Sequence, residues 1–187
     1  MARFCEKYFV ETLVKNPNFQ NKKYKEALIE TYYEMDVLLE QNDHALLKPL
    51  MEHTEITSQA GCTAVVLLMT PEQYYVANAG DSRCVLYTKD NKVVALTEDH
   101  KPENTLEKKR IEEAGGMVCE GRINGNLNLS RAIGDLEFKS NKNLEKNKQL
   151  ISAEPDVIVK NYDQNEKFFL MGCDGIWELK KAEELCK

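Results

Sequence analysis

The sequence predicts an α+β fold in which helices cover antiparallel sheets. Three observations lead there. Two apolar stripes at helical spacing open the chain, over 2–15 and 23–41. From residue 62 the texture changes to short, branched, apolar runs broken by tight turns, the pattern of strands. Helical and strand segments then come in blocks, an order that belongs to α+β architecture and not to a strictly alternating parallel sheet. With 187 residues and 42% hydrophobic content, the chain is sized for a single domain over 1–187 with a sizeable core.

Each element has its own signal. Phe4, Cys5, Tyr8, Phe9, Thr12 and Leu13 share one face of the first helix, and Asn16-Pro17-Asn18 ends it because proline cannot continue the ladder. Tyr24, Ala27, Leu28, Thr31, Tyr32, Met35, Leu38 and Leu39 form the stripe of the second. Two such helices should pack side by side on an apolar surface. Residues 42–60 read as loop. The run 62–69 is apolar throughout, which predicts a strand buried on both faces. Runs 74–79, 83–87 and 92–96 follow, and the four read as one antiparallel meander. A third helix starts at Thr105, with Asn104 as cap, Glu107 at capping-box spacing and Gly115-Gly116 as its stop. Short strands are expected at 117–119 and 127–129, and a mobile polar loop over 139–149. Strands at 156–162 and 167–173 and a helix from Ala182 complete the series.

Charge narrows the function classes. There are 25 Lys and Arg against 31 Asp and Glu, a net charge of −6, which argues against a binder of nucleic-acid phosphates. The longest apolar run, 62–69, falls short of the ~20 residues a membrane span needs. No basic stretch followed by an apolar run opens the chain, so an intracellular, cytoplasmic protein is expected. The cysteines are Cys5, Cys62, Cys84, Cys119, Cys173 and Cys186, and no two form a Cys-x-x-Cys pair. They read as free thiols, with Cys62, Cys84 and Cys173 packed as small hydrophobes inside strands. His44, His53 and His100 are scattered.

Four acidic turns carry what chemistry the residues suggest. They are Gly80-Asp81-Ser82-Arg83, Glu98-Asp99-His100-Lys101, Ser130-Arg131-Ala132-Ile133-Gly134-Asp135 and Asp174-Gly175-Ile176-Trp177-Glu178. In the last, Asp174 emerges from the end of an apolar strand, with Glu178 four residues on. Carboxylates on a rigid strand end suit a hard cation such as Mg2+ or Mn2+. Taken singly each turn has a plainer reading. Asp174 would cap a helix, Asp81 would form a turn or pair with Arg83, His100 would be a loop residue, and Arg131 would pair with Asp135.

Taken in order, the segments Gly61-Cys62-Thr63-Ala64, Ala77-Asn78-Ala79-Gly80-Asp81-Ser82-Arg83, Asp99-His100-Lys101-Pro102, Leu129-Ser130-Arg131-Ala132-Ile133-Gly134-Asp135, Glu154-Pro155 and Cys173-Asp174-Gly175-Ile176-Trp177 resemble the type 2C family of metal-dependent protein serine/threonine phosphatases. The resemblance spans nearly the whole chain. It implies a partial α-β-β-α sandwich, with antiparallel sheets flanked by helix pairs. It also implies hydrolysis of phosphoserine and phosphothreonine by a water activated between two Mg2+ or Mn2+ ions, with a phosphoprotein as substrate.

The same resemblance assigns residues. Asp174 matches a ligand of the metal pair, and Asp81 matches a ligand of a weaker third metal. Glu178 stands where the family usually has the second carboxylate of that third site, an Asp. The family's Asp-Gly-His-Gly-Gly segment and its closing Asp-Asn motif do not occur in these 187 residues. The chain is therefore expected to be an incomplete catalytic domain, inactive as given, and no catalytic residue is assigned. The alternative is a pseudophosphatase, a non-catalytic structural or regulatory module with a protein partner.

Overall fold

The computed structural model describes residues 1–41 and 60–185 of the chain. The predicted loop over 42–60, apart from its last residue, lies outside the described residues, as do His44, His53 and Cys186. Helix α1 spans Ala2–Lys15. It ends as the sequence predicts, but the proline that stops it also starts a one-turn helix, α2, over Pro17–Gln20. Asn16 caps that turn by accepting from the Asn18 amide at 2.8 Å, and proline fits the first helical position because no partner is needed for its nitrogen. Helix α3, Tyr24–Gln41, lies against α1.

Among the described residues the main strands form two three-stranded antiparallel sheets. One has the order β2-β3-β9, from Ala64–Met69, Gln73–Ala79 and Asp156–Asn161. The other has the order β10-β4-β5, from Glu166–Gly172, Arg83–Thr88 and Val93–Ala95. A two-residue strand, β1 (Gly61–Cys62), precedes β2 and pairs with β8 (Ile133–Gly134).

The alternation along β3 explains the layering, because successive side chains point to opposite faces of a sheet. Tyr75, Ala77 and Ala79 pack with Phe4, Phe9, Leu28, Tyr32 and Met35 of the helices. Tyr74 and Val76 pack instead with Cys84, Leu86, Leu96 and Phe169 of the second sheet. On β4 the roles repeat: Cys84 and Leu86 face the first sheet, while Val85 and Tyr87 meet Trp177 and Ala182 beyond it. Those last residues belong to two short helices, α5 (Asp174–Trp177) and α6 (Ala182–Leu185). The order of layers is therefore helix, sheet, sheet, helix, the sandwich that the resemblance implies. A side lobe holds helix α4 (Thr105–Glu113) and a small core of Ile111, Ile123, Ala132 and Ile151. Among the described residues no helix is long and apolar enough to cross a membrane.

Several local expectations are corrected. The four-strand meander is two hairpins in different sheets, because the Gly80-Asp81-Ser82 turn carries the chain from the first sheet to the second. The strand expected to be buried on both faces is only half-buried: β2 pairs with β3 alone among the described residues, and β3 takes the buried central position. Glu107 forms no capping box, since burial turns its carboxylate inward to two arginines. Residues 117–119 give the two-residue strand β6 (Val118–Cys119), which pairs with β7 (Arg122–Ile123). Residues 127–129 are not a strand; Leu127 makes an isolated bridge to Ile123. Of the three cysteines expected inside strands, only Cys84 is sealed; Cys62 is half-buried and Cys173 is exposed. The 139–149 loop is knitted internally by Gln149, whose side-chain amide donates to the carbonyls of Asn141 at 2.8 Å and Leu144 at 3.0 Å.

Candidate functional site

Strand register decides which turns meet. In the β4–β10 ladder Arg83 lies opposite Gly172. Asp81 precedes the one by two residues and Asp174 follows the other by two, so both leave the same end of adjacent strands. In the first sheet Ala64 lies opposite Ala79, and Asn78 opposite Asp156. The start of β2, the end of β3, the starts of β4 and β9 and the end of β10 thus gather at one rim.

The Asp81 turn is held tightly at that rim. Gly80 has φ +116°, and a Cβ there would sit 2.4 Å from the Thr63 methyl, so only glycine fits. The His100 amide donates to the Gly80 carbonyl at 3.0 Å, and the Gly80 amide donates to His100 Nδ1 at 3.1 Å. Nδ1 therefore carries no proton, which places the ring hydrogen on Nε2, 3.1 Å from Asp156 Oδ2. Asn78 donates to the carbonyls of Gly80 at 3.0 Å and Glu98 at 3.2 Å. The Thr63 and Ser82 hydroxyls are 2.8 Å apart. The Asp81 carboxylate is buried and accepts from the Lys101 ammonium. The pairing expected between Asp81 and Arg83 is not formed. Arg83 instead grips Asp99 through two bonds, of 2.6 and 2.9 Å.

Asp174 sits differently. It is exposed on the first residue of α5, its Oδ1 accepting from the Gly175 amide at 2.8 Å. The turn is pinned by Trp177 Nε1 donating to the Gly172 carbonyl at 2.6 Å. Glu178 is exposed one turn on, its amide bonded to the Asp174 carbonyl at 2.8 Å. The cap of this turn is Cys173, so Asp174 does not serve as the cap that its plainer reading proposed.

Behind the rim lies a network that sequence reasoning missed. Glu107 is buried and accepts from Arg131 at 2.6 and 3.0 Å, from Arg110 at 2.5 Å and from Ser130 at 2.7 Å. Burial works against its charge, but the two arginines and Ser130 hold it below the usual carboxylate range. Arg131 also donates to Asp156 at 2.9 Å. The hydrogen bond from His100, aided by Arg131, pulls Asp156 down to about 2. Arg131 is therefore not Asp135's partner. Asp135 takes a left-handed backbone, φ +50°, beside Gly61, and burial pushes its carboxyl up to about 6. Partners on distant segments leave no spacing signal; only the arginine and serine flanking the Asp135 turn hinted at them.

The donors suit a hard cation in kind, since Asp81, Asp174 and Glu178 all offer carboxylate oxygen. Among the described residues, however, no three metal-type side chains stand together as a ready cage. Asp81 and Asp174 leave one rim, Glu178 follows one turn beyond Asp174, and Asp81 is paired with Lys101.

Comparison with known proteins agrees with this geometry. The family model described as "Protein phosphatase 2C" matches residues 1–187. The chain is 50% identical to "Probable protein phosphatase 2C 3" of Paramecium tetraurelia, covering 100% of this chain and 62% of that protein. It is 43% identical to "Protein phosphatase 2C homolog 3" of Schizosaccharomyces pombe, over 99% of this chain and 42% of the relative. The chain thus spans less than two thirds of these relatives. In fold it is similar to serine-threonine phosphatase 2C from Toxoplasma gondii, with TM-score 0.74 and 20% identity over 96% of this chain and 66% of that one. By its sequence and its layered fold, the chain belongs to the protein phosphatase 2C family.

Proposed function

We propose that these residues form part of a metal-dependent protein serine/threonine phosphatase, acting on phosphoserine and phosphothreonine in proteins. One observation carries the reading: strand register brings Asp81 and Asp174, the two aspartates that match family ligands, to one end of the β4–β10 ladder. Asp174 is the ligand for the metal pair, and Asp81 with Glu178 serves a weaker third Mg2+ or Mn2+. Glu178 is one methylene longer than aspartate, which places its charge further out. A bound Mg2+ or Mn2+ pair would supply an ionised water and screen the phosphate charge. The chain's own residues do the positioning. His100, Asn78 and Thr63 fix the turn that presents Asp81, while Lys101 balances its charge. An intracellular, reducing setting goes with the free thiols.

A second reading is a non-catalytic binding module with a protein partner. It is favoured by the Lys101–Asp81 pairing and by the want of a three-ligand cluster among the described residues. The two readings separate in one assay. The chain is joined to those parts of the Paramecium relative that lie outside the matched region and given a phosphothreonine peptide with Mn2+. A phosphatase turns it over, and Asp174→Asn lowers the rate by roughly a hundredfold or more with the fold intact. A folded fusion without turnover supports the binding module. Full turnover with Asn at 174 removes Asp174 from the ligands.

A further inference from the structure

Cys5 and Cys62 lie 57 positions apart, yet their sulfurs are 3.7 Å from one another. Cys5 is on α1 and Cys62 on β1, and both are half-buried. Among the described residues no other two thiols are in contact. A disulfide needs the sulfurs to close to about 2.05 Å. The strand that must yield is short: β1 has two residues and is paired only through Gly61 with Gly134 and Cys62 with Ile133.

The surroundings treat the two sulfurs differently. The largely buried Lys139 ammonium donates to Asp36 Oδ2 at 2.5 Å and to the Ala132 carbonyl at 2.7 Å. The hydrogen bond between the thiols favours the charged form of Cys62, with Lys139 adding to it and both burial and Asp135 opposing. At Cys5 the same bond, burial and the Asp36 carboxylate all disfavour charge. Either sulfur can donate in that bond, and the surroundings favour Cys62 as the one that ionises. An attacking thiol beside a hydrogen-bonded second thiol is the arrangement that reactive cysteine pairs require.

We propose that Cys5 and Cys62 form a reversible disulfide site, oxidised by a peroxide, that staples helix α1 to strand β1. The Cys62 thiolate attacks the peroxide, the O–O bond breaks, and the leaving oxygen departs as water or an alcohol after taking a proton. Cys62 becomes a sulfenic acid. The Cys5 sulfur then attacks the Cys62 sulfur, forming the S–S bond and releasing water, with the Cys5 proton going to the departing hydroxide. Two thiols lose two electrons and one peroxide gains them. Two equivalents of a free thiol compound restore the pair by exchange through a mixed disulfide and leave as their own disulfide. The site owes nothing to the phosphatase reading.

The test is hydrogen peroxide added to the reduced 187-residue chain, followed by alkylation in denaturant and peptide mass spectrometry without reductant. The expected first product is a peptide cross-linked through Cys5 and Cys62, which dithiothreitol reverses. Cys5→Ser should trap sulfenic acid at Cys62, read as a dimedone adduct. Cys62→Ser should leave Cys5 several-fold less reactive. The proposal is overturned if Cys5 and Cys62 both stay free at a dose that oxidises the exposed Cys119 and Cys173. It is equally overturned if Cys62 cross-links to some other cysteine, or if the sulfenic acid forms at Cys5. The wild-type cross-link decides the matter even where a serine variant fails to fold.

Discussion

Glu107 receives hydrogen bonds from two arginines and a serine while almost sealed from water. A buried charge stripped of its partner is costly, so Glu107→Ala leaves Arg110 and Arg131 facing a void. The expected loss is ~3–5 kcal/mol, read as a lower urea midpoint, with Glu107→Gln retaining part of the stability. Two aspartates give opposite pH signatures. Asp135 titrates near 6 when folded against an ordinary 3.8, so the native state binds its proton more readily than the unfolded chain does. Stability from this group is present at low pH and is lost as pH rises from about 4 to about 6, by roughly 1–2 kcal/mol after solvent screening. Asp135→Asn should flatten the slope of urea midpoint against pH in that window. Asp156 lies near 2 against 3.8, so its contribution is present above about 4 and fades as pH falls through about 2. The same denaturation series, carried to acid, should show that second fall, and Arg131→Met should weaken it.

At the scale of elements, the turn between β3 and β4 matters most, because it joins the two sheets and presents Asp81. Gly80→Ala meets both a disfavoured φ and the Thr63 methyl at 2.4 Å. A loss of roughly 1–3 kcal/mol is expected, seen as a lower thermal midpoint. Helices α1 and α3 were legible in the sequence because their stripes recur every three or four residues. Strand positions were legible from apolar runs and turns. Strand partnership was not, because Gly-Asp-Ser states that the chain reverses and is silent on which sheet it re-enters. The clue lay in β3, where Tyr74 and Val76 are as apolar as Tyr75 and Ala77. A strand apolar on both faces belongs between two packed layers. The uniformly apolar β2 misled for a related reason: its composition matches a central strand while among the described residues its place is at an edge.

At the scale of the molecule, the sandwich brings five strand ends to one rim, and the motifs that carried the family resemblance cluster there. Asp81 and Asp174 were legible as candidates, through motif order more than through local chemistry. The supports around them were not: His100 acts through Gly80, twenty positions back, and Asp156 reaches His100 across 56 positions. Lys101 was equally hidden as Asp81's partner, because its ammonium crosses from the segment leading into α4. The central claim is that this rim holds a divalent cation through those carboxylates. It is tested most directly by titrating Mn2+ calorimetrically into the 187-residue chain and into its Asp174→Asn and Asp81→Asn variants. The expected result is weak binding, with a Kd on the order of 10^-4–10^-3 M, as few carboxylates and a competing lysine imply, and further weakening in each variant. Tight binding of two ions by the chain, or binding that neither substitution alters, would contradict it.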